Sequence, residues 1–166
     1  MPRPEDALAR GVPRDVGAIP GAAPRPAETW LRIVQVHDRI TRRVDSALHL
    51  QHDLSLTGFE ALRRLAESPG ERASMGDLAE ALGLSRAGVT STVNRLVAEG
   101  LVIRERGAGD RRLLHARLTP VGRQRVEQAV GTHDDLVAHL LSLLGDDAPV
   151  VTDALARVSA AARHRR

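Results

Sequence analysis

Residues 74–119 read SMGDLAEALGLSRAGVTSTVNRLVAEGLVIRERGAGDRRLLHARLT, and the fold turns on them. Ser74 carries a hydroxyl that can cap the free N–H groups of a helix's first turn, and Asp77 stands three residues on, the spacing of a capping box. Met75, Leu78, Ala79 and Leu82 then recur at helical intervals and mark a buried face. Gly83 tolerates positive φ and can close that helix, Leu84 plugs the turn, and Ser85 caps a second helix expected to run to about Glu99. On the second helix Val89, Val93, Leu96 and Val97 form one apolar stripe. Its other side carries Arg86, Ala87, Thr90, Ser91, Asn94 and Arg95, all small, hydrogen-bonding or cationic.

Gly100 ends the second helix. Leu101-Val102-Ile103 and Leu113-Leu114-His115-Ala116 read as two short strands, joined by a glycine-turned, arginine-bearing loop. Between Arg86 and Arg117 seven arginines face Glu99, Glu105 and Asp110, a local net charge of +4. Small residues let a helix backbone approach a major groove closely, and Arg86 can fork onto guanine or phosphate. A helix N-terminus also favours a phosphate. A hairpin tipped with Arg111 and Arg112 can reach the adjacent minor groove, whose narrow A·T tracts attract guanidinium. Two helices across a tight turn followed by a two-stranded cationic ribbon make a winged helix-turn-helix, a device for reading duplex DNA. Arg104, Arg106 and Arg117 read as strand-edge charges or phosphate contacts, and Glu105 as a partner for one of them.

These residues also resemble a family. The Leu84-Ser85-Arg86 entry with Gly88-Val89-Thr90, then Asn94-Arg95-Leu96, then Glu99-Gly100-Leu101-Val102, is similar to the MarR family of bacterial winged-helix regulators. The Gly109-Asp110-Arg111-Arg112 wing and the Leu118-Thr119-Pro120-Val121-Gly122-Arg123 helix start complete the ordered set. The resemblance covers about residues 27 to 163. It implies that Asp110 and Arg112 are the family's Asp-x-Arg wing signature, with Arg112 entering the minor groove and Asp110 orienting an arginine. It further implies a homodimer, a repressor more often than an activator, and a crevice that takes a small anionic or aromatic effector.

The remaining sequence bounds the reading. The 166 residues fit one domain of ordinary size. Trp30 and Phe59 are its aromatics and tyrosine is absent, so the core must be aliphatic, which favours helices. Net charge is only +3, so positive charge must be localised to matter. The absence of cysteine removes disulfides, thiolate metal sites and thiol redox sensing. No apolar run long enough for a membrane span and no signal-peptide core are visible, and a cytoplasmic protein is the expectation.

Residues 1–26 hold most of the prolines and few large apolar residues, the composition of a disordered arm. From Ala27 to about Leu50, Trp30, Ile33, Val34, His37, Ile40, Val44, Ala47 and Leu48 make an apolar stripe too long to cover only a small winged domain. Thr57, with Glu60 in capping-box position, opens the next helix, whose Phe59, Leu62, Leu65 and Ala66 pack inward. Thr119-Pro120 starts a helix to about Leu144, Gly145-Asp146-Asp147 breaks it, and a last helix spans Ala148 to Arg163. The fold class is mainly α with a β wing. Residues 57–118 form the winged domain, and 27–56 with 119–166 form a helical dimerisation domain in which two copies interlock.

The function expected is a dimeric transcriptional regulator, with helix 86–99 in the major groove and wing 104–117 in the minor groove of a near-palindromic operator. Ser85, Arg86, Ala87, Thr90, Ser91, Asn94, Arg95, Asp110, Arg111 and Arg112 are the candidate DNA contacts. Trp30, His37, His52 and Phe59 are candidates to line an effector crevice, against the plainer reading of packing and interface residues. His49 and His52, three apart, form a weak chelating pair lacking further ligands, so neither a metal nor a cofactor is expected. A zinc-responsive variant and a winged helix that binds only protein are the alternatives; the surplus arginine argues against the latter. No nucleophile–base pair, glycine-rich phosphate loop or paired-acid constellation points to an enzyme.

Overall fold

The computed structural model describes residues 25–106 and 114–163. Among them the order is α1 (Pro26–His52), α2 (Leu56–Ala66), β1 (Arg72–Ser74), α3 (Met75–Ala81), α4 (Arg86–Ala98), β2 (Val102–Arg106), β3 (Leu114–Leu118), α5 (Pro120–Ser142) and α6 (Ala148–Arg163). Short 3-10 turns lie at Pro69–Glu71 and Gly145–Asp147. The proline-rich arm up to residue 24 and the wing tip, including Asp110, Arg111 and Arg112, lie outside the described residues.

The chain divides into two units, Met1–Val36 and His37–Arg166. In the first, α1 carries Trp30, Leu31, Ile33 and Val36 exposed, Trp30 to 64%. The second holds the core. Phe59, Ala61, Leu62 and Leu65 of α2, Leu78 of α3 and Val89, Val93 and Leu96 of α4 are all buried in one cluster. Leu101, Val102, Ala116 and Leu118 close it from the sheet, while Val44 and Leu48 of α1 and Val126 and Ala129 of α5 join it from outside the winged stretch. Large aliphatic side chains of this kind contribute about 1.5–3 kcal/mol each when fully buried.

Capping chemistry sets most helix starts. Ser74 Oγ accepts from the Asp77 N–H, Ser85 Oγ from Gly88 and Thr119 Oγ1 from Gly122, each at 3.0–3.1 Å. The ends of α3 and α4 are matched Schellman motifs. Gly83 and Gly100 sit at φ 63° and 72°. Leu84 N–H donates back to Ala79 and Leu101 N–H to Leu96, both at 2.9 Å.

Several expectations need correction. The α2 cap is Ser55, not Thr57: Ser55 Oγ accepts from Gly58 N–H at 3.1 Å, and Asp45 Oδ1 takes the Leu56 N–H at 2.7 Å. Val97 is 37% exposed and Thr92 takes the fourth buried place on α4, its hydroxyl satisfied by the Gly88 carbonyl at 3.1 Å. The ribbon is a three-stranded antiparallel sheet in the order β1-β3-β2. Its third member, β1, pairs Arg72 with Arg117, Ala73 with Ala116 and Ser74 with His115. The strands run two to three residues further than expected, β2 to Arg106 and β3 to Leu118, and α5 stops at Ser142.

Gly122 locks α5 to the winged domain. A Cβ there would stand 2.1 Å from the Leu101 carbonyl oxygen, so only glycine admits this approach. The same carbonyl accepts from Thr119 N–H at 3.1 Å, and the Thr119 hydroxyl donates to the neighbouring Gly100 carbonyl at 2.8 Å. The C-terminal end of α4 and the N-terminal end of α5 are thus joined through two adjacent carbonyls. No helix among the described residues is long and apolar enough to cross a membrane.

Candidate nucleic-acid interface

The α4 helix presents its solvent side because its opposite side is fully engaged. Val89, Thr92, Val93 and Leu96 are buried. At 100° per residue, Ala87, Ser91 and Asn94 fall opposite that stripe. Arg86 and Thr90 lie on one flank and Arg95 on the other. All six are exposed, as is the capping Ser85. Among the described residues Arg86, Arg95, Arg104 and Arg106 have no ion pair, whereas Arg117 Nε holds Glu105 Oε1 at 2.7 Å and Arg123 pairs with Glu71. Of the described arginines on α4, β2 and β3, the unpaired ones therefore sit on α4 and β2, and Arg72 on β1 is unpaired among the described residues as well.

The two flanks differ. Arg86 and Thr90 border a cleft of about 410 Å³ whose other walls are Met75 of α3, Val89 and Leu114 of β3. Arg95 and Glu99 border a small pocket of about 90 Å³ beside His49 and Asp53, the latter in the left-handed region at φ 52°. Arg95 thus stands next to the α1–α2 connection, apart from Arg86 and Thr90.

The candidate effector residues scatter. Trp30 and His37 are exposed, His37 with Asp38 Oδ1 3.3 Å from its Nδ1. Phe59 is fully buried; its ring stacks on His133 with centroids 4.9 Å apart, and the Arg63 guanidinium lies 5.7 Å from its centroid. His52 Nε2 lies 2.8 Å from Thr132 Oγ1, and the Thr132 hydroxyl donates to Gln51 Oε1 at 3.2 Å. Since that hydroxyl has one proton and gives it to Gln51, His52 Nε2 is the donor in its own bond. Arg125 adds a bond to the His52 carbonyl at 2.8 Å. His52 therefore clamps the end of α1 to α5, and His49, exposed at the small pocket, is not part of that clamp. Among the described residues no group of three or more His, Cys, Asp or Glu is placed to hold a metal ion.

Sequence reasoning did not single out Thr132, Arg125 or the stacking of His133 on Phe59. Their partners lie some 73–81 residues away in the chain, and no local spacing signals such contacts.

A helix-turn-helix with an unpaired cationic, small-residue face beside a three-stranded wing defines the winged-helix class. Comparison with known proteins narrows the class. The family model described as MarR family matches residues 52–113. The crystal structure of AbsC, a MarR family transcriptional regulator from Streptomyces coelicolor, superposes with a TM-score of 0.77 at 28% identity, covering 87% of this chain and 99% of that one. A MarR family transcriptional regulator from Silicibacter pomeroyi is 30% identical over 82% of this chain and 93% of its own, with a TM-score of 0.66. A transcriptional regulatory protein for the hcr operon of Thauera aromatica is 37% identical over 79 residues, 46% of each chain, so the match spans about half the length of that curated relative. The chain belongs to the MarR family of transcriptional regulators.

Proposed function

We propose that the protein is a dimeric, sequence-specific DNA-binding repressor. Two copies related by a twofold axis present α4 to successive major grooves of a near-palindromic operator, and wing residues 104–117 enter the flanking minor grooves through Arg112, with Asp110 orienting an arginine. The observation that carries this reading is the solvent face of α4, where Ala87, Ser91 and Asn94 lie between unpaired Arg86 and Arg95.

The dimer is supported by apolar surface that no described element covers. In the first unit it is Trp30, Leu31 and Val36; in the second, Leu143, Val150, Leu155 and Val158, from 48% to 80% exposed. Large apolar side chains left this exposed favour a protein partner, and a second copy supplies one through a symmetric interface. Residues 27–56 and 119–166 serve as the dimerisation part, 57–118 as the reading part, and the protein works in the cytoplasm. Sco3205 of Streptomyces coelicolor, which shares the fold, was crystallised in complex with DNA. DNA binding of BpsR of Bordetella bronchiseptica, again of this fold, is regulated by 6-hydroxynicotinic acid. A small anionic or aromatic effector that favours one angle between reading and dimerising parts would shift operator affinity in the same manner here.

The test is a titration of a selected duplex at several salt concentrations. A dimer neutralising about 6–10 phosphates gives a slope of log K against log salt of roughly −5 to −9. Arg112→Ala weakens binding by roughly tenfold or more. A flat salt response with an inert Arg112→Ala contradicts the reading and favours a winged helix that binds protein.

A further inference from the structure

Three hydroxyl side chains follow one another on α4, and their hydrogen bonds separate them. Thr92 is buried and donates to the Gly88 carbonyl. Ser91 is exposed and, like Asn94, makes no side-chain hydrogen bond among the described residues, so either can donate or accept. Thr90 is exposed as well, but its Oγ1 donates to the Arg86 carbonyl at 2.7 Å. A hydroxyl has one proton and two lone pairs. While that bond holds, Thr90 turns an acceptor oxygen and a methyl group to solvent. The cleft it borders is walled mostly by apolar side chains, Met75, Val89 and Leu114, with Ser74 and Arg86 at its polar edge.

From this geometry we infer that Thr90 is a specificity-determining residue that selects an A·T pair and rejects guanine at its base step. The inference rests on α4 reading the major groove, as proposed above. Guanine shows two acceptors, N7 and O6, to that groove, and an acceptor-only Thr90 meets them without a proton between. Adenine shows an N6 amino group that can donate to Thr90 Oγ1, and its thymine partner shows a C5-methyl group that the threonine methyl and the apolar cleft favour. Cytosine can donate from N4 but lacks the methyl group, so it satisfies half of the site. Ser91 and Asn94 carry no such restriction, which leaves Thr90 as the side chain on this face whose bonding state alone predicts a base.

The experiment selects duplexes with the full-length protein and then edits single atoms of the selected site. Deoxyuridine in place of thymine deletes the C5-methyl group; purine in place of adenine deletes the N6 amino group. With the wild type, one A·T step in each half-site responds to both edits, each by about fourfold in affinity, the worth of one buried methyl group for the first. A G·C pair placed there lowers affinity by roughly tenfold or more. Thr90→Ser keeps the oxygen and abolishes the response to deoxyuridine; Thr90→Val keeps the methyl and abolishes the response to purine. Selection of guanine at that step, or variants with unchanged responses, overturns the inference while leaving the protein a DNA reader. Failure of the wild type to prefer any duplex sinks the proposed function and this inference together.

Discussion

Substituting Gly122 by alanine tests the joint between the C-terminal end of α4 and α5. The new Cβ would lie 2.1 Å from the Leu101 carbonyl oxygen and 3.0 Å from Leu118 Cδ1, whereas ordinary contact begins at 3.4 Å. The first turn of α5 must therefore retreat by about 1.3 Å, and the obstacle is backbone rather than a flexible side chain. That retreat strains or breaks the Thr119 N–H bond to Leu101 and the Thr119 hydroxyl bond to Gly100. Overpacking costs about 1–3 kcal/mol and each lost hydrogen bond about 0.5–1.5. Together these destabilise by about 2–6 kcal/mol, a fall in melting temperature of roughly 4–24 °C for a protein of this size. Thermal unfolding followed by circular dichroism, at one protein concentration, measures it. Gly131→Ala is the internal control: it lies on the same helix, a Cβ there meets nothing within 4 Å, and it leaves stability unchanged or raises it by up to about 1 kcal/mol. If Gly122→Ala melts within a degree or two of the wild type, the close approach is not part of the native structure and the reasoning fails.

Two further outcomes follow from single contacts. Ser85→Ala removes the oxygen that caps α4 through Gly88 N–H and costs about 1 kcal/mol, seen in the denaturation midpoint. Ser85→Asp restores the stability but not operator affinity, since its charge would face a phosphate; equal affinity for Ser85→Asp and wild type would place this helix end away from DNA. Leu155→Glu puts a charge on the exposed apolar face of α6; in the proposed dimer each copy contributes one such leucine, so the substitution raises the dissociation constant at least about 100-fold. Sedimentation equilibrium reads this directly, and an unchanged distribution of species would place the dimer interface elsewhere.

Local chemistry was legible and distant chemistry was not. Ser74, Ser85 and Thr119 announce their helices because a cap acts within three residues, and Gly83 and Gly100 announce the ends because positive φ is a local demand. Ser55 and Thr57 are both capping types two residues apart. What decides between them is Asp45, eleven residues back, which binds the Leu56 N–H. The three residues of β1 have no strand pattern of their own; they become a strand only by pairing with β3, some forty residues later. Val97 fits an apolar helical spacing, yet Thr92 is buried in its stead because a hydroxyl that bonds back to Gly88 no longer needs water. In the candidate site, the α4 face was readable because it is the complement of a buried stripe. What each flank borders was not, since it depends on where the α1–α2 connection and β3 pack.

The most direct measurement is the selection of bound duplexes from a random pool with the purified full-length protein. The account predicts an enriched site with approximate twofold symmetry, its half-site centres about 10–10.5 base pairs apart, one turn of the double helix. Enrichment of a single unpaired half-site, of two half-sites at arbitrary spacing, or of no sequence at all would contradict it.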